Sequence, residues 1–597
     1  MKSIASIVFG LVLAASAHAQ VALQPLTVST AAREAEPADA ALASVSVIDR
    51  DAIERSVAPD LVELLRLQAG VELARTGPAG SQTSLFLRGG NFNHVLVLVD
   101  GIRVSNVNTG AAAWENLPLA QIERIEIVRG PRAALYGSDA IGGVVQIFTR
   151  RLHAPHVRVQ SGRYDSHALE AGMAAGGDLG GISVVAARRQ SRGFSAQNER
   201  GFAFDPDRDG YRNDSMGVRA DAVLGSQRID AGLLAVDAEV EFDQGESSAR
   251  TRSGHLGLQG ALGEHWDHHL KLDHARENLA TPTFFNAFRS RRHGLDWLHG
   301  LHLAPGQRVQ FGVAWQQERG ASLDTFGDTT RYGARRRNSA VFPRWRGEFG
   351  GHRLEVAGRH DDNSVFGGAS TAQAAWGWQV TPHWRLLANF GQGFRAPNLN
   401  EQFSPGFSGL FAGNPDLEPE RSRNFELGAA FRPGDGHEAR LHLYRNLVRD
   451  LISFSGGDVF RAENIARARL EGVEFSHELA LDSWRVRTQA TWQNARDDDS
   501  GTPLRRRARR HGSLLAETTA MPVDLGVEVF ASGARPDIAQ TLPGYALLNL
   551  RARWVPSRPW TLAARMENVL DRDYEHAVGF NTPGRSLWLS LTWQGDK

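Results

Sequence analysis

The 597-residue chain contains no cysteine. Disulfides, thiol nucleophiles and cysteine-ligated zinc are therefore excluded. Lysine is almost missing as well. It occurs only at Lys2, Lys271 and Lys597, so nearly all positive charge is arginine. Formal net charge is zero, from 67 basic and 67 acidic residues, and no bulk charge favours nucleic acid. Beyond the N-terminus no run of about eighteen consecutive apolar residues occurs, which removes a membrane-spanning helix. No paired-carboxylate or Ser/His/Asp arrangement stands out, so nothing indicates an enzyme.

What is present begins with "MKSIASIVFGLVLAASAHAQ". Lys2, the apolar run from Ile4 to Ala15, and the small-x-small site at Ala17-His18-Ala19 read as a secretory signal peptide over residues 1–19. The mature protein is then exported, and it is either soluble outside the cytoplasm or a β-barrel.

Two regions follow with different patterning. Up to about Arg151 the chain reads as a compact mixed α/β domain. "SVSVID" (Ser44–Asp49) is a short strand, and Asp60 with Glu63 opens a helix with the face Leu61, Leu64 and Leu65. Gly70 is placed as that helix's C-terminal glycine. "HVLVLVDG" (His94–Gly101) is a continuous apolar run, hence a strand buried on both faces. From about His153 the period becomes two. Leu587, Leu589, Leu591 and Trp593 share one face against Trp588, Ser590 and Thr592. Ala546, Leu548, Leu550, Ala552 and Trp554 alternate with polar or charged neighbours, and so do Ala439, Leu441 and Leu443. A soluble sandwich would turn the apolar face inward; a transmembrane barrel turns it outward around a polar lumen. The length of the region, the recurring arginine faces and the near-terminal aromatic favour the barrel. At about twenty residues per strand and connection it holds roughly twenty to twenty-two strands, a size that carries a plugged lumen.

One further motif is "FDPDRDGYRN" (Phe204–Asn213), with Asp205, Asp207 and Asp209 at alternate positions before Gly210. An EF-hand needs a bidentate Glu at its twelfth position, and that position is Met216. Two readings remain: a carboxylate loop for a hard cation such as calcium, or a solvated Asp/Gly turn.

Several segments resemble the TonB-dependent outer-membrane receptors. In the first domain these are "LLRLQAGVEL", "LFLRGGNFNHVLVLVDGIRV" and "LPLAQIERIEIVRGPRAALYGSDAIGGVVQIFTR". In the second they are "FGQGFRAPNLNEQF", "GNPDLEPERSRNFELG", "NIARARLEGVEF" and the C-terminal "RMENVLDRDYEHAVGFNTPGRSLWLSLTW". Within the family, "RGPRAALYGSDAIGGVVQI", "NHVLVLVDG" and "FNTPGR" are similar to the cobalamin (vitamin B12) transporters.

The resemblance implies a bacterial outer-membrane protein: an antiparallel transmembrane β-barrel of about 22 strands (residues 153–597) with a mixed α/β plug (36–152) in its lumen. It implies a monomer in contact with outer-membrane lipid and lipopolysaccharide, and uptake of cobalamin powered through TonB. Residues 20–35 would hold a TonB box, Pro25, Leu26, Thr27, Val28, Ser29 and Thr30, ahead of a flexible "AAREAEPADAA". By motif position Asn91, Phe92 and Asn93 form one plug apex, and Ser105, Asn106, Val107, Asn108 and Thr109 a second. Their amides suit the amide-ringed corrin, or else close turns. Arg88, Arg129 and Arg132 would face acidic partners inside the barrel, and "RRRARRHG" (Arg505–Gly512) would be a lumen or interface patch. The resemblance also places Asp205, Asp207 and Asp209 in an extracellular loop, with Asp243 of the next loop as their partner around calcium. The alternative cargo is haem or a ferric siderophore. Haem receptors usually carry a His between "FRAP" and "NPDL", and residues Pro397 to Asn414 have none.

Overall fold

The structure is a computed structural model describing residues 26–406, 410–455, 460–518 and 522–596. The signal-peptide segment and Pro25 lie outside the described residues. From His156 onward, 22 antiparallel strands form a closed barrel. Closure is made by the first and last of them: His156–Gly162 pairs with Ser586–Gln594, with Val159 opposite Leu591. Closure matters physically, because an open edge in hydrocarbon would leave backbone groups unsatisfied.

The alternation resolves as the sequence pattern requires. Leu587, Leu589 and Leu591 are exposed on the outside, whereas Trp588 is buried against the lumen. Leu441 and Leu443 also point outward, while His442 and Tyr444, which alternate with them, are buried inside. The wall is thus apolar where it meets lipid and polar where it meets the plug. Short turns close one end of the barrel, for example at 225–226 and 305–306. The long connections at 192–210, 396–419 and 568–585 lie at the other, extracellular end.

The plug is built on a sheet in the order Val45–Ile48, Ile122–Arg129, Gly143–Thr149, Val95–Val99 and Ile102–Arg103. Val95–Val99 runs parallel to Gly143–Thr149, and every residue of it is buried. Val95, Val97 and Val99 join Leu61, Leu65, Leu85, Ile125 and Ile127 in one core. Each such side chain contributes about 1.5–3 kcal/mol on burial. Asp60 caps the helix Leu61–Leu65 by accepting from the Glu63 amide.

Two expectations are corrected. The helix ends at Arg66, so Gly70 does not cap it. It sits at φ +71°, and a Cβ there would collide with Glu474 Oε1 of the barrel wall, so close approach is its purpose. The segment after the expected TonB box, expected to be a free linker, is tied to the barrel wall. Thr27–Val28 pairs with Glu36–Pro37 as a small hairpin. Arg33 pairs with Asp296, Glu34 with Arg308 and Arg346, Glu36 with Arg353, and Asp39 with Arg432. Those partners come from different barrel strands, which is why local composition read as linker.

Candidate functional site: plug apices, mouth and N-terminal segment

The first apex, Asn91–Asn93, opens a short 3₁₀ turn, Phe92–His94 with Asn91 as its N-cap, which leads into the buried strand Val95–Val99. The Asn91 amide donates to His94 Nδ1. Phe92 is 38 % exposed into the mouth, whereas Asn93 is buried with its Oδ1 lacking a partner among the described residues. An arginine from an extracellular connection grips this turn from outside. Arg507 lies 3.9 Å over the Phe86 ring and donates to Gly90 O and to Asn91 Oδ1. The expectation of an interface role for that basic run holds for Arg507.

The second apex is more engaged than its amide content suggested. Asn106 Oδ1 accepts from the Asn108 amide, closing an Asx turn, and its Nδ2 donates to Glu277 at 2.7 Å. Asn108 is fully buried; it donates to Arg289 O and Ser290 Oγ and accepts from Tyr332. Val107 packs with Tyr332 and Leu399. These three residues fix the loop to the wall. Ser105 and Thr109 remain partly open.

The segment "FRAPNLNEQF" connects both apices. Arg395 donates to both oxygens of Glu420 and both of Glu401. Glu420 also contacts His94 Nε2 at 2.8 Å. Asn398 caps the helix Leu399–Phe403, and its Nδ2 donates to Thr109 O. The amides of Leu399 and Asn400 donate to Val107 O and Asn108 O. The motif is therefore a bracket across the two apices. Its order in sequence is legible, but its apex partner Thr109 lies 289 residues away and is not.

Deeper in the lumen Arg88 is clamped between Glu426 and Glu474, at 2.8 and 2.7 Å, under Tyr444. That matches the expectation for Arg88. Arg129 shares Glu474 more loosely, and it is Arg132 that departs from the expectation. Arg129 donates to Ala69 O and Ser46 Oγ and lies 3.9 Å from Glu474, and Arg132 forms no ion pair among the described residues. Arg88 already occupies the acidic pair, so Arg129 turns its hydrogen bonds to plug oxygens.

The N-terminal segment docks against the same sheet, with Val28 packed beside Val45 and Val128. Val28 and Thr30 are wholly buried. The Glu126 carboxylate accepts from the amides of Ser29 and Thr30, at 2.9 and 2.8 Å, and from the Thr30 hydroxyl. Glu126 was not singled out in the sequence, where it is one of two acids in the strand Ile122–Arg129. A polar cavity of about 480 Å³ lies between plug and wall, lined from Ser29 and Arg33 past Asp100 and Lys271 to Phe366 at the mouth.

The acidic loop sits at the rim. Asp243 accepts from the amides of Asp205 and Gln197, and Asp209 from the Ala196 amide. Glu241, two residues before Asp243 and on the same face, accepts from Gly210 N at 2.7 Å and belongs to the same cluster. Burial and then Asp243, Asp207 and Glu241 push the Asp209 carboxyl up to about 6. Asp207 is raised as well, by desolvation and by Asp205 and Asp243. The carboxylates are close enough to repel, yet among the described residues no three acids or histidines converge into a preformed metal cage. Asn581 of "FNTPGR" donates to Ser195 O and Gln197 O, joining this loop to the last extracellular one.

Comparison with known proteins decides the family. The model "TonB dependent receptor-like, beta-barrel" matches residues 177–569, and "TonB-dependent Receptor Plug Domain" matches 37–144. The chain is a TonB-dependent receptor. The vitamin B12 transporter BtuB of Vibrio cholerae serotype O1 is 29 % identical to it, over 96 % of this chain and 95 % of that protein. Among solved structures, the siderophore receptor PirA of Acinetobacter baumannii superposes with TM-score 0.80 at 18 % identity, covering 92 % of this receptor and 98 % of PirA. A point mutant of the ferric enterobactin receptor PfeA of Pseudomonas aeruginosa does so with 0.80 at 20 %, covering 96 % and 100 %. At that identity the likeness is one of fold. The receptor is an outer-membrane protein of a family of transporters.

Proposed function

We propose that the receptor imports cobalamin and related corrinoids across the outer membrane, driven by TonB. The observation that carries the cargo is the 29 % identity to a vitamin B12 transporter along almost the whole length of both chains. Geometry supports it at two points. The open parts of the apices present an aromatic ring, hydroxyls and an amide, a set suited to a neutral, amide-rimmed ligand. His94, the histidine nearest the first apex, is buried against Glu420 and unable to reach a haem iron.

The plug sheet links cargo to energy source. Its strands begin beside the apices, where Gly142 N donates to His94 O. They continue to Gln146 and Glu126, which contact Thr30. Ligand pressing on the apices shifts these strands, weakens the Glu126 contacts and frees residues 25–30. The freed segment, the TonB box of this reading, adds to TonB as a strand. Calcium belongs to the same reading. Asp205, Asp207, Asp209 and Asp243, together with Glu241, would supply oxygen ligands, and the ion would neutralise their repulsion and join two loops at the mouth. An ordered rim lowers the entropy cost of holding cargo.

Titration of the refolded receptor with cyanocobalamin and with haemin tests the cargo. Tight cyanocobalamin binding that weakens on calcium chelation is expected. Haemin binding with no cyanocobalamin binding would overturn it.

A further inference from the structure

Two neighbouring barrel strands, His437–Ser455 and Phe460–Ala480, bring a pair of imidazoles together. Their side of the sheet follows from register. Leu443 stands opposite Val473, Leu441 opposite Phe475, and Ala439 opposite His477. Leu441 and Leu443 face outward, so His437 and His477, in step with them along the strands, do so too. His437 directly follows the short turn at 435–436, which joins its strand to Glu420–Gly434. Phe431 of that strand stands edge-on to the His437 ring, and Phe475 stacks beside His477. The pair therefore sits on the outer face of the barrel at its periplasmic rim.

The two Nε2 atoms are 2.9 Å apart, and the ring planes are nearly perpendicular, at 83°. Among the described residues neither ring makes another hydrogen bond. Metal–imidazole bonds are about 2.0–2.1 Å long, so two of them at a right angle hold their nitrogens about 2.9 Å apart. Right-angle ligation is the arrangement of a tetragonal cupric site. Thr488 stands opposite His477 on the next strand and carries a hydroxyl oxygen, and periplasmic water can fill the remaining positions. No lysine or arginine occupies the outward positions from His437 to Leu443 or from Val473 to His477.

A second cross-strand pair on the wall lacks these features. His274 and His293 oppose each other with their Nδ1 atoms 3.2 Å apart. There His274 Nδ1 lies 3.0 Å from Arg292 O, so a proton on that nitrogen serves the carbonyl. Arg276 and Arg291, themselves opposed two residues along, add positive charge that repels a cation.

We propose that His437 and His477 bind a divalent transition metal, cupric ion foremost, at the periplasmic rim. Imidazole suits copper and zinc alike, and for a given nitrogen site copper binds more tightly than zinc. A bound ion bridges adjacent strands beside a turn and stabilises the folded barrel, because the unfolded chain holds no such pair in place. The site lies at the opposite end of the barrel from the apices and the acidic loop, so it is independent of cargo and of calcium.

The test uses the whole refolded receptor in detergent, titrated with copper(II) and zinc(II) salts in a non-coordinating buffer. Electron paramagnetic resonance reads the copper. One equivalent is expected to bind with the hyperfine pattern of two equatorial nitrogens, at least tenfold more tightly than to His437→Gln/His477→Gln. Zinc should displace it only in excess. Copper should raise the temperature of barrel unfolding in the parent and in His274→Gln/His293→Gln, and leave it unchanged in His437→Gln/His477→Gln. Heat-modifiable migration confirms that each variant is a folded barrel. Equal copper affinity in His437→Gln/His477→Gln would show adventitious binding elsewhere and overturn the proposal. Loss of the two-nitrogen signal in His274→Gln/His293→Gln would do the same. Failure of the parent to bind copper would also overturn it, leaving a hydrogen-bonded histidine pair.

Discussion

The most direct perturbation of the coupling is Glu126→Gln. In the docked state one carboxylate oxygen, Oε2, accepts from Ser29 N, Thr30 N and the Thr30 hydroxyl. Glutamine keeps an acceptor of the same shape but without charge. A hydrogen bond to a charged group is worth about 1.5–3 kcal/mol, against roughly 1 for a neutral one. Three such bonds therefore weaken by about 3 kcal/mol in total. At 1.36 kcal/mol per tenfold, the undocked fraction of the N-terminal segment rises roughly a hundredfold. The absence of cysteine supplies a clean assay. Val28→Cys places a single thiol at a wholly buried position, and its rate of reaction with a polar maleimide reports undocking. In the otherwise unchanged receptor without ligand, labelling is expected to be slow. It should accelerate strongly with Glu126→Gln and, more modestly, on addition of cyanocobalamin. If Val28→Cys reacts at the rate of a free thiol before any perturbation, or if Glu126→Gln leaves its rate unchanged, the docking argument is wrong.

Two further outcomes follow from the site. Because the Asp209 carboxyl is raised to about 6, protons compete with a cation there, so calcium affinity should fall as pH drops through 6 and level off above 7. Asp209→Asn should abolish that pH dependence, as calorimetric titration across the range would show; a dependence that persists would place the titrating group elsewhere. Arg88→Ala leaves Glu426 and Glu474 facing each other without their cation, a loss of about 3–5 kcal/mol for a broken buried pair. Hydrogen exchange in Val95–Val99 should then quicken by at least a hundredfold, and unchanged protection would show that the clamp does not hold the plug.

How far the sequence could be read depended on the range of the interactions involved. The buried strand Val95–Val99 and the Asp60 cap were legible because a continuous apolar run and a cap-to-N3 spacing are local signals. The tethered segment from Ala31 to Ala41 was not, since its order comes from arginines and an aspartate more than 260 residues away. Asn106 and Asn108 show the same limit. Their type fits either a ligand contact or a turn, and only the positions of Glu277, Ser290 and Tyr332 show them committed to the wall. Glu241 carried a signal that was available, the alternate position before Asp243, but that signal gains meaning only once both residues are known to face the Asp205–Gly210 loop.

By itself the sequence predicted an exported protein, and it determined that the second region alternates with period two and that a mixed domain precedes it. Each of these is written in neighbouring residues, through apolar run length, strand pleat and turn chemistry. The tertiary structure decided which apex residues are open, where the N-terminal segment docks, and that two histidines 40 residues apart meet across neighbouring strands. Those facts rest on strand register and on the seating of plug in barrel. A shift of one residue in any pairing would reverse the face of every side chain on that strand, and no local pattern along the two strands records that His437 and His477 meet.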